Sequence, residues 1–190
     1  MVNKALVYVG IAIVVLLGIF LVVGGGGDNG SNTNEIPSVQ SEPVGAWASI
    51  ELKDVNTQET FRVSDFTDRP LLIESFAVWC PTCTRQQREV KELHEEIGDS
   101  VISISVDTDP NEDEARVLQH TEDNGFDWRY VVSPVPFTQA LIDQFGIGIV
   151  NAPRAPMLLV CNQDGQQLTR QLDSGVKSVS ELKQELAQGC

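Results

Sequence analysis

Positive charge is scarce in this chain: 13 Lys and Arg stand against 27 Asp and Glu, a formal net charge of −14. That balance argues against nucleic-acid binding and against docking on anionic lipid, both of which rest on clustered Lys and Arg. It reads either as a solubilising acidic coat or as adaptation to high salt. Histidine is scarcer still, with two residues, His94 and His120. They lack the paired spacing of zinc ligands, and both read as surface positions. The acidic run Asp107, Asp109, Glu112, Asp113 and Glu114 lacks the glycine and closing glutamate of a calcium loop. Its simpler reading is a helix start enriched in acids, which suits the positive end of the helix dipole. No internal repeat is visible, and no metal or cofactor is implied.

Ala5 to Val23, by contrast, is uncharged and apolar, with Lys4 just ahead of it. As a helix it is about 28 Å long at 1.5 Å per residue, close to the thickness of a hydrocarbon core. The run is longer than the apolar core of a cleaved leader, and no cysteine lies nearby for a lipid anchor. Residues 1–23 are therefore expected to form one transmembrane anchor. Lys4 favours a cytoplasmic N-terminus, which places the rest outside the cytoplasm at the cell membrane, as a single-pass protein. Residues 24–45 open with four glycines and continue through Asp28, Asn29, Ser31 and Asn34 to Pro37 and Pro43. They read as a flexible linker with a span of about 25 Å.

From residue 46 to 190 strand and helix patterns alternate. Trp47–Leu52 and Glu59–Val63 flank Asn56-Thr57 as a hairpin. Leu71–Val78 reads as a buried strand and Thr84–Ile97 as a helix with Val90, Leu93 and Ile97 on one face. Val101–Val106 is a strand alternating Val and Ile with Ser, and Glu112–Asp123 a helix stopped by Gly125. Then follow a strand Trp128–Val132, a short helix Phe137–Phe145, and strands Met157–Cys161 and Gln166–Gln171. Ser178–Ala187 is the last helix. The order predicts an α/β fold, a central mixed sheet with flanking helices.

Between the first buried strand and its helix stands Trp79-Cys80-Pro81-Thr82-Cys83. Two thiols with two residues between them close into a small disulfide, one as low-pKa thiolate and the other as resolving thiol. Cys80, at the helix N-terminus, meets free N–H groups that favour its thiolate. It is expected to be exposed and nucleophilic, and Cys83, one turn in, more buried and resolving. Pro81 and Thr82 help to set the potential. The remaining cysteines, Cys161 and Cys190, end a strand and the final helix. That helix should run back toward the edge holding Cys161, so the two are expected to form a structural disulfide, the alternative being two free thiols.

Trp-Cys-x-x-Cys at a strand-to-helix junction, Ala155-Pro156 ahead of a strand, and a closing hairpin and helix resemble the thioredoxin superfamily. The N-terminal hairpin and the insertion from Asp109 to Pro136 resemble its membrane-anchored extracytoplasmic members, the cytochrome c-maturation type. The resemblance implies a thioredoxin-like domain over 46–190 and a protein disulfide oxidoreductase. Its partners would be protein thiols and disulfides, with a membrane-embedded or soluble thiol donor or acceptor. It implies that Pro156 is a cis proline facing the cysteines, with Pro153 a second candidate, and that the Ala155 backbone offers hydrogen bonds to a bound chain. Glu74 takes the place of the family's buried acid; burial would raise its pKa and fit it to accept the Cys83 proton. Arg154 is either a cation beside Cys80 or a solvated loop residue. Trp79 either shields the disulfide and meets partners or packs in the core, and Trp47 and Trp128 read as core or loop residues. Where relatives kink the first helix with proline, Arg88 stands. The alternatives within and beyond this class are a thiol peroxidase, which lacks its Thr-x-x-Cys motif here, and a copper metallochaperone, which favours wider cysteine spacing and a distal histidine.

Overall fold

The structure, a computed structural model, describes residues 40–190. The expected anchor at 1–23 and most of the expected linker lie outside them. Among the described residues no helix is long and apolar enough to cross a membrane.

A six-stranded mixed sheet forms the centre. In chain order the strands are β1 (Glu42–Pro43), β2 (Leu52–Lys53), β3 (Thr60–Phe61), β4 (Leu71–Phe76), β5 (Ile102–Asp107), β6 (Arg129–Val132), β7 (Met157–Gln163) and β8 (Gln166–Gln171). The large sheet runs β1-β8-β7-β4-β5-β6, and β2-β3 is a separate hairpin. β4, β5 and β6 are parallel neighbours, β7 runs antiparallel to β4, and β8 pairs antiparallel with β7. The helices are α1 (Pro81–Ile97), α2 (Glu114–Asn124), α3 (Val135–Phe145) and α4 (Val179–Gln188).

The alternation of side chains along each strand divides the core in two. Leu71, Ile73, Ile102, Ile104 and Val106 pack with Trp47, Phe137 and Leu141 on one side. Leu72, Phe76, Tyr130 and Leu159 pack with Val90 and Leu93 of α1, Val117 of α2 and Leu182 of α4 on the other. Helices thus cover both faces, as the sequence pattern predicts. α1 begins earlier than expected, at Pro81, because proline suits the first helical turn where its missing N–H costs nothing. It continues unbroken past Arg88.

Two local expectations change. Trp47 does not open a strand; Ala46–Ser49 is a 3-10 turn that buries the indole, whose Nε1 donates to Gln144 Oε1 at 2.7 Å. Glu42–Pro43 pairs with β8, Glu42 opposite Thr169, so residues of the expected linker take part in the sheet.

Cys161 and Cys190 are bonded, their Cα atoms 5.8 Å apart. The turn of chain after α4 is also held by buried Arg170, whose Nε donates to Gly189 O at 2.8 Å and whose Nη1 meets Glu185 Oε2 at 2.7 Å. Cys190→Ser should cost about 2 kcal/mol, the low end of the range for such a loop, because the Arg170 contacts survive. Urea unfolding of the oxidised proteins measures it.

Candidate active site

Cys80 sits in the loop between β4 and α1, in a turn closed by its own N–H to Ala77 O at 3.0 Å. It caps α1: the Cys83 N–H donates to Cys80 Sγ at 3.2 Å. Pro81 offers no donor, so this amide is the one aimed at the sulfur, and it favours negative charge there. Cys80 and Cys83 form a disulfide with Cα atoms 5.4 Å apart.

The expected exposure of Cys80 is corrected. Both cysteines are 1 % exposed. The cover is non-local: the 3-10 turn Ala152–Arg154 packs on α1, and Ala152 O lies 3.2 Å from Cys83 Sγ. When the pair is reduced, the Cys83 thiol can donate to this carbonyl.

Pro156 is also corrected. The described residues contain no cis peptide bond, so Pro156 and Pro153 are both trans. The chain reverses into β7 through Ala155 instead, which adopts the left-handed region with φ 45° and ψ 57°. For alanine that conformation costs about 1–2 kcal/mol. The Ala155 N–H is taken by Ala152 O at 2.8 Å and is not free for a bound chain. Arg154 is exposed, and among the described residues its side chain makes no ion pair or hydrogen bond with the cysteine site. Thr82 Oγ1 accepts from Arg85 Nη2 at 3.3 Å.

Trp79 is 53 % exposed and therefore not a core residue. Its Nε1 donates to Asp109 Oδ2 at 2.6 Å, and this bond lowers the Asp109 pKa. The indole forms one wall of a groove of about 350 Å³ lined also by Ala77, Pro110, Ala152 and Pro153. A second bond steadies the same loop: the Val78 N–H donates to Glu112 Oε2 at 2.6 Å.

In β4, Glu74 is buried and pairs in register with Ser105 and Met157. Ser105 Oγ donates to Glu74 Oε1 at 2.6 Å and accepts from Trp128 Nε1 at 2.8 Å. Burial pushes the Glu74 carboxyl up to about 7, against the lowering effect of Ser105 and Gln87. Asp107, at the end of β5, is likewise pushed up to about 7, chiefly by burial.

Several members of this site were missed by sequence reading. Gln86 and Gln87 are wholly buried on α1. Gln86 exchanges two bonds with the Lys177 backbone, 2.6 Å to its N–H and 3.2 Å to its carbonyl. Gln87 lies one turn after Cys83, and its Oε1 is 2.7 Å from His120 Nε2. His120 is thus no surface residue: it is 6 % exposed and stacks on Phe76 with ring centroids 5.7 Å apart. His94 is half-buried, bonded to Ser103 Oγ at 2.9 Å and stacked on Trp128. The available signal was helical spacing. Gln87 follows Cys83 by four and precedes Val90 by three, and His120 follows Val117 by three, so both polar residues fall on core-facing stripes.

The sequence model of the Redoxin family matches residues 32–186. No curated protein sequence matches the chain. Among solved structures it is similar to MTB DsbF in its mixed oxidised and reduced forms, with 15% identity over 76% of this chain and 98% of that one, at a TM-score of 0.59. A thiol:disulfide interchange protein of the thioredoxin family from Chlorobium tepidum TLS gives 12% identity over 74% and 92%, at a TM-score of 0.59. The exposed lipoprotein thioredoxin Etrx1 of Streptococcus pneumoniae strain TIGR4 gives 19% identity over 73% and 98%, at a TM-score of 0.55. At these identities the likeness establishes the thioredoxin-like fold.

Proposed function

The chain belongs to the Redoxin family and carries the chemistry of a thiol–disulfide oxidoreductase, and from that premise we propose that it exchanges disulfides with protein cysteines while tethered to a membrane, outside the cytoplasm. One observation carries the exchange reading: the Cys80–Cys83 disulfide closes across the N-terminus of α1, with Cys80 as the helix cap and the Cys83 N–H donated to its sulfur. The apolar run Ala5–Val23 supports the tether and the compartment.

In the reducing direction the Cys80 thiolate attacks a partner disulfide. An S–S bond forms between Cys80 and one partner sulfur, and the other leaves as thiolate. Cys83 then gives its proton to Glu74 and attacks the Cys80 sulfur. The second partner sulfur leaves as thiolate and takes a proton from water. Two electrons pass to the partner, and the Cys80–Cys83 bond closes. The helix N-terminus lowers the cost of the first thiolate, and the acid lowers the cost of the second.

The test is the reduction potential of the pair together with turnover on insulin disulfides and on hydrogen peroxide. Insulin reduction with a potential near about −270 mV identifies a reductant, and a value near about −120 mV an oxidant. Turnover of peroxide without turnover of insulin would instead make it a thiol peroxidase, and thiol-dependent copper binding without either would make it a metallochaperone. Both histidines are engaged away from the sulfurs, with Ser103 and Gln87, which favours the first reading.

A further inference from the structure

Asp107 is the last residue of β5 and is 1 % exposed. Its Oδ1 accepts from the Asp109 N–H at 3.0 Å, while its Oδ2 is buried and has no hydrogen-bond partner. A buried carboxylate oxygen without a donor is costly to keep. The neighbouring acids are already engaged. Asp109 accepts from Trp79 Nε1 on Oδ2 and from the Asn111 N–H on Oδ1. Glu112 accepts from the Val78 N–H on Oε2, and its Oε1 lies 3.1 Å from Arg116 Nε on α2. Asp107 lines a cavity of about 360 Å³ together with Pro110, Glu112, Val132, Val135 and Thr138. Among the described residues no Lys, Arg or His lines it. Thr108, Asp109 and Pro110 also line the groove beside Trp79, so the cavity and the groove share one rim.

We propose that this cavity is a specificity subsite for a basic side chain of the partner protein: a Lys or Arg a few residues from the reacting cysteine enters beside Asp109-Pro110 and pairs with Asp107, while the cysteine meets Cys80. The proposal rests on the exchange reading given above and adds the chemistry of the partner. Charge complementarity selects the occupant. The lining holds three carboxylates and no cation, and Asp107 is the one whose free oxygen has no answer within the chain. Among the described residues no group of three or more His, Cys, Asp or Glu is placed to hold a metal ion, which leaves a cation carried on a stem. Pro110, Val132 and Val135, the last 81 % exposed, offer apolar surface to the methylenes of such a stem. The net charge of −14 draws any basic partner from a distance; only a local pair with Asp107 distinguishes one position in the partner from another.

The subsite carries its own pH dependence. Burial raises the Asp107 pKa to about 7; the Asp109 N–H lowers it, and the charges of Glu112 and Asp109 raise it. β4 and β6 set Phe76 and Val132 opposite Asp107, and α3 adds Thr138 and Gln139 to the cavity; none of these titrates. Arg116 answers Glu112 from α2. A bound cation favours the ionised carboxylate, so preference for a basic partner should grow as pH rises through about 7.

The test uses the reduced full chain and short peptides with one cysteine held as a mixed disulfide with thionitrobenzoate. Cys80 bonds the peptide sulfur, and thionitrobenzoate leaves as a coloured thiolate. Arg or Lys is moved one position at a time on either side of the cysteine, with norleucine as the uncharged counterpart. At one position the basic peptide should exceed norleucine about ten-fold in kcat/KM, the scale of one charge-assisted hydrogen bond. The ratio should survive about 0.5 M salt, which screens long-range attraction, and should be larger at pH 8 than at pH 6. Asp107→Asn should bring it close to one. Val135→Lys, which sets a cation at the mouth of the cavity from an exposed residue, should cut it by more than half and decides the matter if the Asp107 variant does not fold. A ratio near one at every position, a ratio abolished by salt, or one unchanged in Asp107→Asn overturns the proposal. If no peptide disulfide is attacked, the exchange reading falls, and docking is then read from the amide shifts of Thr108, Ser133 and Thr138 on titration with an Arg peptide lacking the cysteine. Shifts that move with this peptide and not with its norleucine counterpart support the subsite; equal or absent shifts overturn it.

Discussion

Cys80→Ser should abolish disulfide exchange, lowering turnover by more than about a thousand-fold, because the hydroxyl is not ionised at neutral pH and no second thiol can take its place. Cys83 cannot substitute: it lies one turn into α1 and is buried, its sulfur against Ala152 O. Cys83→Ser has the opposite signature. The Cys80 thiolate still attacks, but nothing displaces the partner, so a mixed disulfide accumulates. Non-reducing electrophoresis and mass spectrometry of the trapped adduct check both results and identify the partner. A Cys80→Ser protein that still turned over, or a Cys83→Ser protein that trapped nothing, would remove the assignment of nucleophile and resolving thiol. The close cover over both sulfurs adds an expectation about rate. Attack on the oxidised pair requires the Ala152–Arg154 turn to give way, so a bulky disulfide reagent should react more slowly than a small one.

Glu74→Gln should slow the resolving step by about a hundred-fold, within the range for a positioned proton acceptor, and should make the protein more stable in mild base. The two effects have one origin. Burial raises the Glu74 pKa from 4.5 to about 7, so the native state holds this proton over a pH range in which the unfolded chain has released it. The stabilisation is complete below the unfolded value and disappears as pH rises through the native one. The shift corresponds to about 3 kcal/mol between pH 4.5 and pH 8. Glutamine imitates the protonated acid, accepts from Ser105 as before, and loses nothing as pH rises. The variant should match the parent near pH 4.5 and exceed it by roughly 2–3 kcal/mol near pH 8, in urea titrations across pH. A slope should remain, because Asp107 titrates over the same window. A variant less stable than the parent at pH 8 would mean that Glu74 is ionised and well solvated there.

Both pairings of cysteines were legible before any coordinates, for local reasons. Spacing and helix position mark Cys80 and Cys83, and the closing hairpin brings Cys161 and the end of the final helix to one edge. The strands were legible too, but β5 shows where reading by pattern falls short. Its Ile and Val alternate with Ser103, Ser105 and Asp107, the signature of a strand half in water, yet the whole strand is buried. The polar face meets His94, Glu74 and Trp128 instead of solvent. Gln87 and His120 were hidden by the same rule: a polar residue on an apolar stripe looks like an exposed edge until its partner on another helix is known. The left-handed Ala155 and the cover over Cys80 depend on how the 152–156 segment meets α1, a contact between residues about 70 apart that no local preference encodes.

The two residues of β1 have a consequence for how this molecule lives among other copies of itself. β8 would otherwise be the last strand of the sheet, with its backbone N–H and C=O groups open on one side. Glu42, Pro43 and Val44 occupy that side, the last through its N–H to Gln167 O at 3.2 Å. A strand left bare there is a template for pairing with a neighbouring chain, and a proline in the covering strand cannot pass the template on. A chain begun at residue 46 would keep its catalytic machinery whole and still expose that template. It would be a functional enzyme with a tendency to clump.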